Sequence, residues 1–255
     1  MSYPLHTKAL AVGHGQQALL RDLDLILSSG QLVSIIGRNG SGKSTLLRTL
    51  CGSLPPVHGE VFLGDASIGS LSAAARARLI SIVFTGRSTL GQVSVLDAVA
   101  MGRHPWTSWT GRTSERDERA VSNAMEQTGT GQWARRLLHT LSDGEHQKVM
   151  IARALAQDTP ALLLDEPTAF LDLTSRVHLM RMLKRIAVEG GKSILLSTHD
   201  LQLALDLSDG LLLISNAGTC WQGTPSMAIE EGLIAREFDD AEVRFDPERA
   251  AFRPR

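Results

Sequence analysis

The sequence lacks the features that mark secreted or membrane-spanning proteins. Cys51 and Cys220 are too few for a disulfide framework and have no second Cys or His at metal-ligand spacing, so we expect both to be reduced packing residues. The N-terminal sequence MSYPLHTKAL lacks the apolar run of a signal peptide, and no stretch approaches the roughly 20 apolar residues of a membrane span. We therefore expect a soluble chain that needs another subunit to span a membrane if it works at one.

An excess of charge of either sign is also absent. With 26 basic and 27 acidic residues, the formal net charge is −1, so no global field favours nucleic acid or an anionic membrane surface. The 255 residues, 43% of them hydrophobic, provide ample material for a buried core. Length alone allows one large α/β domain or two small ones.

Short apolar runs along the chain predict buried strands. They lie at residues 31–36, 79–84, 161–164, 193–197 and 211–214. Because these runs are apolar throughout rather than alternating, they are typical of strands buried on both faces of a largely parallel sheet. Helical patterns alternate with the runs, which indicates the α/β fold class.

Residues 88–158 differ, because they contain helix signals and no convincing strand. Ser114 can cap one helix, and Ser142 and Gly144 precede a second that Pro160 terminates. We interpret this segment as a helical subdomain inserted within a single domain that comprises residues 1–255.

A glycine-rich loop follows the apolar run at residues 31–36 and opens a helix. It fits the pattern G-x-x-x-x-G-K-[ST] and comprises Gly37, Arg38, Asn39, Gly40, Ser41, Gly42, Lys43 and Ser44. Glycines let successive backbone N–H groups point at phosphate oxygens, and the helix N-terminus adds a favourable dipole. Lys43 would bring a positive charge to the β- and γ-phosphates, and the Ser44 hydroxyl could bind Mg²⁺. The loop, with Thr45 after it, predicts an ATP site.

Two adjacent carboxylates end the run at residues 161–164. Asp165 would hold Mg²⁺ directly or through water, and Glu166 would orient and deprotonate the attacking water. The alternative is an ordinary acidic strand end before Pro167. Together with the phosphate-binding loop, the pair predicts a metal ligand and a catalytic base.

These and further motifs, in the family's order, make the chain resemble the ABC (ATP-binding cassette) ATPases over nearly its whole length. Besides the loop and the acidic pair, the sequence contains counterparts of three family motifs. They are the LSGGQ signature at Leu141, Ser142, Asp143, Gly144 and Glu145, the D-loop ending in Asp172, and the switch histidine His199. The resemblance implies a P-loop NTPase core with a mostly parallel sheet, an N-terminal antiparallel β subdomain and a helical insertion.

The same resemblance implies a homodimer with shared ATP sites. Each site would pair the P-loop of one copy with the signature of the other, with ATP and Mg²⁺ as cofactors. Helix electrostatics are consistent with this pairing, since Ser142 and the amides that open the helix from Gly144 form a second anion-binding helix terminus. His199 would contact the γ-phosphate and stabilise charge in the transition state.

Three positions depart from the family pattern. His14 stands where most relatives have a tyrosine stacked on adenine, and we expect an adenine contact, with a surface-turn histidine as the alternative. Thr85 stands in place of a glutamine that senses Mg²⁺, and its short hydroxyl could act only through a bridging water. Asp143 and Glu145 replace glycine and glutamine, and we expect both carboxylates to face along the helix or solvent. Slowed hydrolysis is the competing interpretation.

Two segments resemble the iron-siderophore, haem and cobalamin importer branch of the family. They are VLDAVAMGRHPWTSW, within the helical insertion, and the tail EFDDAEVRFDPERAAFRP. In the first, Trp106 and Trp109 with Arg103 and Arg112 form an aromatic and basic stretch that suits a docking groove for a permease helix. The alternative is a core-packing loop of the insertion.

The resemblance thus implies an ATP-hydrolysing subunit that powers import through integral membrane permease subunits. It would lie peripherally at the cytoplasmic face of the cell membrane and act indirectly with an extracytoplasmic substrate-binding protein. A regulatory module that binds ATP, dimerises and turns over poorly is one alternative, motivated by Thr85 and Asp143. A nucleic-acid-associated ABC ATPase is another alternative. The balanced charge and the lack of a basic cluster argue against it.

Overall fold

The architecture combines two sheets, a set of helices and a small terminal hairpin. A computed structural model describes residues 4–86, 91–107 and 113–255. Its strands are β1 (Leu5–His14), β2 (Gln17–Leu23), β3 (Ile26–Leu27), β4 (Leu32–Ile36), β5 (His58–Leu63), β6 (Ala66–Ser67), β7 (Ile80–Val83), β8 (Ala161–Leu164), β9 (Ser193–Ser197), β10 (Gly210–Ile214), β11 (Cys220–Gly223), β12 (Val243–Asp246) and β13 (Ala251–Pro254). Its α-helices are α1 (Lys43–Leu50), α2 (Ala73–Ala77), α3 (Val95–Ala100), α4 (Glu115–Thr128), α5 (Asp143–Ala156), α6 (Leu173–Gly190), α7 (Leu201–Leu207), α8 (Pro225–Glu230) and α9 (Leu233–Phe238).

The central sheet has six strands in the order β11-β10-β4-β9-β8-β7. Neighbours pair in parallel from β10 to β7, and only β11 at the edge is antiparallel. Every residue of β4, β8 and β9 is buried, as uniformly apolar runs predict for strands covered on both faces. Each predicted run therefore forms a strand, and the parallel pairing brings the carboxyl ends of β4, β8 and β9 to one edge.

A second sheet precedes the helical part of the chain. Its strands run in the order β2-β1-β5-β6, with β3 paired to β1, and all of its pairings are antiparallel. Helix α1 joins the two sheets, because Leu46, Leu47 and Leu50 are fully buried in one cluster with Val33 of β4 and Leu10 of β1. The expected α/β fold with an antiparallel N-terminal sheet is confirmed.

Helices fill the chain between β7 and β8. In the described part of this stretch, α3, α4 and α5 alternate with short 3₁₀ turns, and no strand forms beyond one isolated bridge between Ser94 and Leu137. Ser114 and Ser142 cap α4 and α5 as predicted, each in a reciprocal capping box with the acidic residue three positions on. The helices pack on the central sheet through a cluster that includes Leu162 and Val149.

Two described residues of the stretch proposed as a docking groove, Gly102 and Arg103, pack inward. Gly102 lies so close to α5 that a Cβ there would be 2.1 Å from the Arg153 carbonyl oxygen. Arg103 is only 2% exposed. Its Nε donates to Asp117 Oδ1 at 2.8 Å, and its Nη1 donates to the Ala156 carbonyl at 2.8 Å. The prediction that Arg103 serves a docking surface is wrong, because burial commits its guanidinium to an internal ion pair.

Trp106 is likewise engaged within the chain. Its Nε1 donates to the Gln157 carbonyl at 2.7 Å, and the guanidinium carbons of Arg78 and Arg116 lie 5.0 Å and 5.5 Å from its ring centroid. Trp109 and Arg112 lie outside the described residues. For Arg103 and Trp106 the core-packing alternative describes the structure.

The last helices and strands form a third apolar cluster. Phe245 of β12 and Ile234 of α9 are buried there together with Ile36 of β4 and Leu205 of α7. The C-terminal elements therefore pack directly on the strand that leads into the glycine-rich loop. Within the described residues, no helix has both the length and the apolar character that crossing a membrane requires.

Asp117→Ala should destabilise the fold strongly, because it leaves the Arg103 guanidinium buried without its partner. We expect the free energy of unfolding at pH 7 to fall by about 3–5 kcal/mol in urea denaturation. Glu115→Ala is the control, because this side chain is 88% exposed, and it should change the free energy of unfolding by less than about 0.5 kcal/mol.

The same pair predicts a dependence on pH. Hydrogen bonds from the Ser114 hydroxyl and amide lower the pKa of Asp117 to about 2 from its ordinary 3.8. The stabilisation is thus fully present above pH 3.8 and is lost as the pH falls towards 2. The difference in stability between wild type and Asp117→Ala should therefore narrow by about 2 kcal/mol over that interval, the free-energy equivalent of the pKa shift. A difference in stability that stays constant across it would contradict this assignment.

Candidate functional site

The glycine-rich loop connects β4 to α1 with a backbone that requires its glycines. Gly40 and Gly42 have φ of 77° and 100°, in the region that L side chains avoid. A Cβ on Gly37 would lie 2.8 Å from Ser41 Oγ and 2.9 Å from the Ile214 carbonyl oxygen. Gly42 is the N-cap residue of α1 and no side chain caps this helix end. The first amides of α1 are therefore left for an anion.

Lys43 is held inside this loop. Its Nζ donates to the Gly37 carbonyl at 2.8 Å and to the Arg38 carbonyl at 3.1 Å, and the residue is 5% exposed. Burial lowers the pKa of Lys43, while the charges of Glu166 and Asp165 oppose that shift. The loop thus concentrates donors and positive charge beside two carboxylates.

Asp165 is the centre of a hydrogen-bond network at the ends of the strands. Its Oδ1 accepts from Ser44 Oγ at 3.0 Å and from Ser197 Oγ at 2.8 Å, and Asp165 is 4% exposed. Its main-chain carbonyl accepts from Thr85 Oγ1 at 2.8 Å. Residues that are far apart in sequence are thereby held at the carboxyl ends of β4, β7, β8 and β9.

Glu166 and His199 contact each other directly. His199 Nε2 lies within hydrogen-bond distance of Glu166 Oε1, and the Glu166 side chain remains 27% exposed. Glu166 adopts φ of 47°, a left-handed conformation that is rare for a residue with a side chain. Such strain clusters at sites where a side chain must point in an unusual direction. The structure places both predicted catalytic side chains together at the mouth of the phosphate loop.

Ser197 belongs to this site although its function did not follow from the sequence. It ends β9, donates to Asp165, and its Oγ accepts from the Glu166 backbone N–H at 2.9 Å. One hydroxyl therefore fixes both carboxylates. The available signal was a polar residue at the end of an apolar strand, directly before the switch motif.

A cleft of about 450 Å³ lies over the loop, and its lining combines most of the predicted ATP-binding residues. The lining residues are His14, Leu19, Asn39, Gly40, Ser41, Gly42, Lys43, Ser44, Thr45, Glu166 and His199. His14 is exposed at the end of β1, where it pairs with Gln17 in a hairpin. Leu19, which is 37% exposed, was missed because nothing in the sequence places β2 beside the loop. The His14 imidazole ring and the Leu19 side chain therefore lie at the rim of the cleft.

The signature residues form a separate site in the same chain. Ser142 Oγ accepts from the Glu145 N–H at 3.3 Å, and Glu145 Oε2 accepts from the Ser142 N–H at 2.9 Å. That backbone hydrogen bond, helped by Arg136, lowers the pKa of Glu145. The Glu145 carboxylate therefore folds back onto the helix end, as expected. None of residues 141–145 lines the cleft over the loop within the described chain.

Asp143 and the D-loop border a different cleft of about 320 Å³. Its lining includes Asp143, Thr85, Glu166 and Phe170. The Asp143 side chain is exposed, and it borders a cleft that Glu166 shares. Phe170 is 79% exposed with φ of 65°, and nothing in the described chain covers it.

Asp172 starts the helix that follows the D-loop. Its Oδ1 accepts from the Ser175 N–H at 2.9 Å and its Oδ2 from Ser175 Oγ at 2.8 Å, and these bonds lower the pKa of Asp172. The carboxylate is therefore the N-cap of α6. Within one copy of the chain these hydrogen bonds give Asp172 a role in the fold.

The comparisons with known proteins agree with this arrangement. The ABC transporter family model matches residues 20–169. The achromobactin transport ATP-binding protein of Dickeya dadantii is 37% identical over 242 residues, which cover 94% of this chain and 90% of that protein. The petrobactin import ATP-binding protein of Bacillus anthracis is 35% identical over 248 residues, covering 97% and 91%.

Solved structures extend the similarity to the fold. The cbiO1 subunit of Clostridium perfringens, part of an ABC transporter complex, superposes with a TM-score of 0.80 at 27% identity over 92% of this chain and 94% of that one. A dimeric ATP-binding cassette bound to ADP and Pi superposes with a TM-score of 0.73 at 26% identity, covering 87% and 98%. From its phosphate loop, its carboxylate pair and these matches, the chain belongs to the ABC transporter family of ATP-binding proteins.

Proposed function

We propose that this protein is the ATP-hydrolysing subunit of an importer for an iron-siderophore, haem or cobalamin-type substrate. The observation that carries the proposal is the contact of Glu166 with His199 at the rim of the cleft that Lys43 lines. The relatives that transport achromobactin and petrobactin support the iron-siderophore class. The substrate itself would pass through the permease and not touch this chain.

ATP binding follows from the loop. The free amides at the start of α1 would bind the β- and γ-phosphates, and the Lys43 ammonium would neutralise their charge. His14 and Leu19 at the rim would contact the adenine.

Ser44 and Asp165 fit a magnesium ion. Their Oγ and Oδ1 atoms are 3.0 Å apart, and one hydroxyl with one carboxylate is the sparse oxygen set that Mg²⁺ uses beside nucleotide phosphates. The ion would offset phosphate charge during transfer. The described residues contain no cluster of three or more His, Cys, Asp or Glu side chains at metal distance, as expected where phosphates and water complete the shell.

Glu166 is the general base of the proposed reaction. Its carboxylate takes a proton from water as the water oxygen bonds to the γ-phosphorus, and the bond to the bridging oxygen breaks to give ADP and phosphate. His199 orients the carboxylate through Oε1 and can donate to the γ-phosphate. Ser197 fixes the backbone at Glu166 and the Asp165 carboxylate at once.

A second copy would complete each site. The Ser142 end of α5 lies outside the cleft over the phosphate loop of its own chain, so we propose that its amides bind a partner's γ-phosphate. The dimeric cassette bound to ADP and Pi supports this assembly. The proposed complex is a homodimer on the cytoplasmic face of the membrane, joined to permease subunits and, through them, to an extracytoplasmic binding protein.

Thr85 has a structural role in this proposal. Its hydroxyl donates to the Asp165 carbonyl and so ties the end of β7 to the end of β8. The segment after Thr85, which we predict as a helical subdomain at residues 88–158, would transmit movement from the permease to this tie. The water-mediated action on Mg²⁺ that the sequence suggests for Thr85 stays a prediction beside this direct contact.

Replacing the proposed base should abolish turnover while ATP still binds. We expect Glu166→Gln to lower kcat of Mg²⁺-dependent ATP hydrolysis by at least about 100-fold, because an amide cannot accept the proton. Phosphate release by the purified protein measures this. Glu118→Gln, the same change at an exposed position of α4, should hydrolyse ATP like wild type.

The same assay separates the alternatives. A wild-type protein that binds ATP but releases no more phosphate than Glu166→Gln would favour the regulatory module. Salt-sensitive binding of DNA or RNA would favour a nucleic-acid-associated ATPase. The net charge of −1 does not favour such binding.

Ser197→Ala should impair hydrolysis because it frees the Asp165 carboxylate and leaves the Glu166 amide without its acceptor. We expect kcat to fall about tenfold and the Mg²⁺ concentration for half-maximal activity to rise. Ser193→Ala is the matched control, since Ser193 is buried on the same strand and donates only to the Ser28 carbonyl. A Ser197→Ala protein with wild-type kcat and Mg²⁺ dependence would remove Ser197 from the site.

A further inference from the structure

The C-terminal segment, residues 233–255, forms a compact aromatic unit beside the phosphate loop. The rings of Phe238 and Phe252 meet edge to face with centroids 6.3 Å apart, and Phe245 and Phe252 lie 5.2 Å apart. Phe245 is buried in the cluster that contains Ile36, the residue directly before Gly37. This segment resembled the importer branch in sequence, but the proposed chemistry gives it no task.

One hydrogen bond connects this segment to the loop itself. Arg38 Nε donates to the Glu237 main-chain carbonyl, near the end of α9, at 3.0 Å. Glu237 is anchored from its other side, because its Oε2 accepts from the Asn216 N–H at 3.0 Å in the turn between β10 and β11. Glu237 thus links the phosphate loop to the edge of the central sheet.

The main chain of Arg38 is part of the structure that holds Lys43. The Arg38 carbonyl accepts from Lys43 Nζ at 3.1 Å and from the Ser41 N–H at 3.2 Å. Fixing the Arg38 side chain therefore also fixes the loop backbone around the ammonium group. Arg38 therefore connects the C-terminal segment to Lys43, because its side chain binds Glu237 and its carbonyl accepts from the lysine.

The Arg38 side chain lies apart from the cleft in which ATP is expected. Arg38 does not line the cleft that contains His14 and Lys43, although Asn39 beside it does. It lines a different cleft, of about 450 Å³, together with Phe238 and His199. Its charge is therefore placed towards the C-terminal segment.

We propose that Arg38 is a positioning residue through which the C-terminal segment holds the phosphate loop in its ATP-binding conformation. A loop that is already fixed loses less conformational freedom when ATP binds, so the contact improves affinity. Because neither Arg38 nor Glu237 touches Glu166, the chemical step is left unchanged. This inference rests on the proposed ATP binding and adds a residue pair to it.

A double-mutant cycle on the full-length chain tests the link, with calorimetric titration of Mg²⁺-ATP and steady-state hydrolysis as readouts. We expect Arg38→Ala to raise the Kd for ATP about fivefold, the loss of one exposed hydrogen bond. Glu237→Ala, which releases α9 from the Asn216 amide, should raise Kd about two- to threefold. The double variant should match Arg38→Ala, because the contact of Glu237 with Asn216 acts on the loop through Arg38.

Two control variants separate position from charge. Glu237→Gln keeps the acceptor for Asn216 without the negative charge and should bind ATP like wild type. Arg253→Ala removes a cation that pairs with Asp246 inside the hairpin at 3.1 Å, away from the loop, and should also bind normally.

Several results would overturn the proposal. They are an unchanged Kd in Arg38→Ala, effects of Arg38→Ala and Glu237→Ala that multiply in the double variant, or a loss confined to kcat. Multiplying effects would mean that Arg38 acts on the phosphates by its own charge. A wild-type protein that does not bind ATP would instead refute the proposed function, which the titration of the wild type shows separately.

Discussion

The structure of the site depends on the hydrogen bonds that hold the Asp165 carboxylate. Ser44 and Ser197 both donate to the same oxygen of Asp165, from the loop after β4 and from the end of β9. Only a parallel sheet brings these strand ends to one edge, and only uniformly apolar strands allow a sheet covered on both faces. The parallel pairing of apolar strands therefore explains both the buried core and the polar residues gathered at the edge of the sheet. The proposed catalytic groups lie next to this network, since Glu166 donates its backbone N–H to Ser197 and contacts His199.

Local patterns in the sequence predicted the parts that depend on local chemistry. The central strands, the phosphate loop and the caps at Ser114 and Ser142 follow from apolar runs, glycines and hydroxyls at fixed spacing, and the structure contains each of them. Arg103 was interpreted wrongly because a basic residue close to two tryptophans is typical of a docking surface, whereas Asp117 on another helix supplies its buried partner. Arg38 and Glu237 are 199 positions apart, and no local pattern reports such a contact. The role of Ser197 was hidden for the same reason.

The site described here is divided between two places on one chain. The phosphate loop and its carboxylates line one cleft, while the Ser142 end of α5 lies outside it. The C-terminal segment contacts the first of these places through Arg38. In the proposed arrangement the tail of the chain would adjust ATP affinity, while hydrolysis would require a partner copy.

Mixing two inactive variants tests this division most directly. Lys43→Ala removes the ammonium from the loop, and Ser142→Asp keeps a good helix cap but opposes a phosphate with negative charge. In a mixed dimer one site carries both changes and the other carries neither. We predict that each variant alone is inactive and that an equimolar mixture recovers about a quarter of wild-type ATP hydrolysis, the share of intact sites in random dimers. A mixture as inactive as its components would show that the halves do not combine between chains.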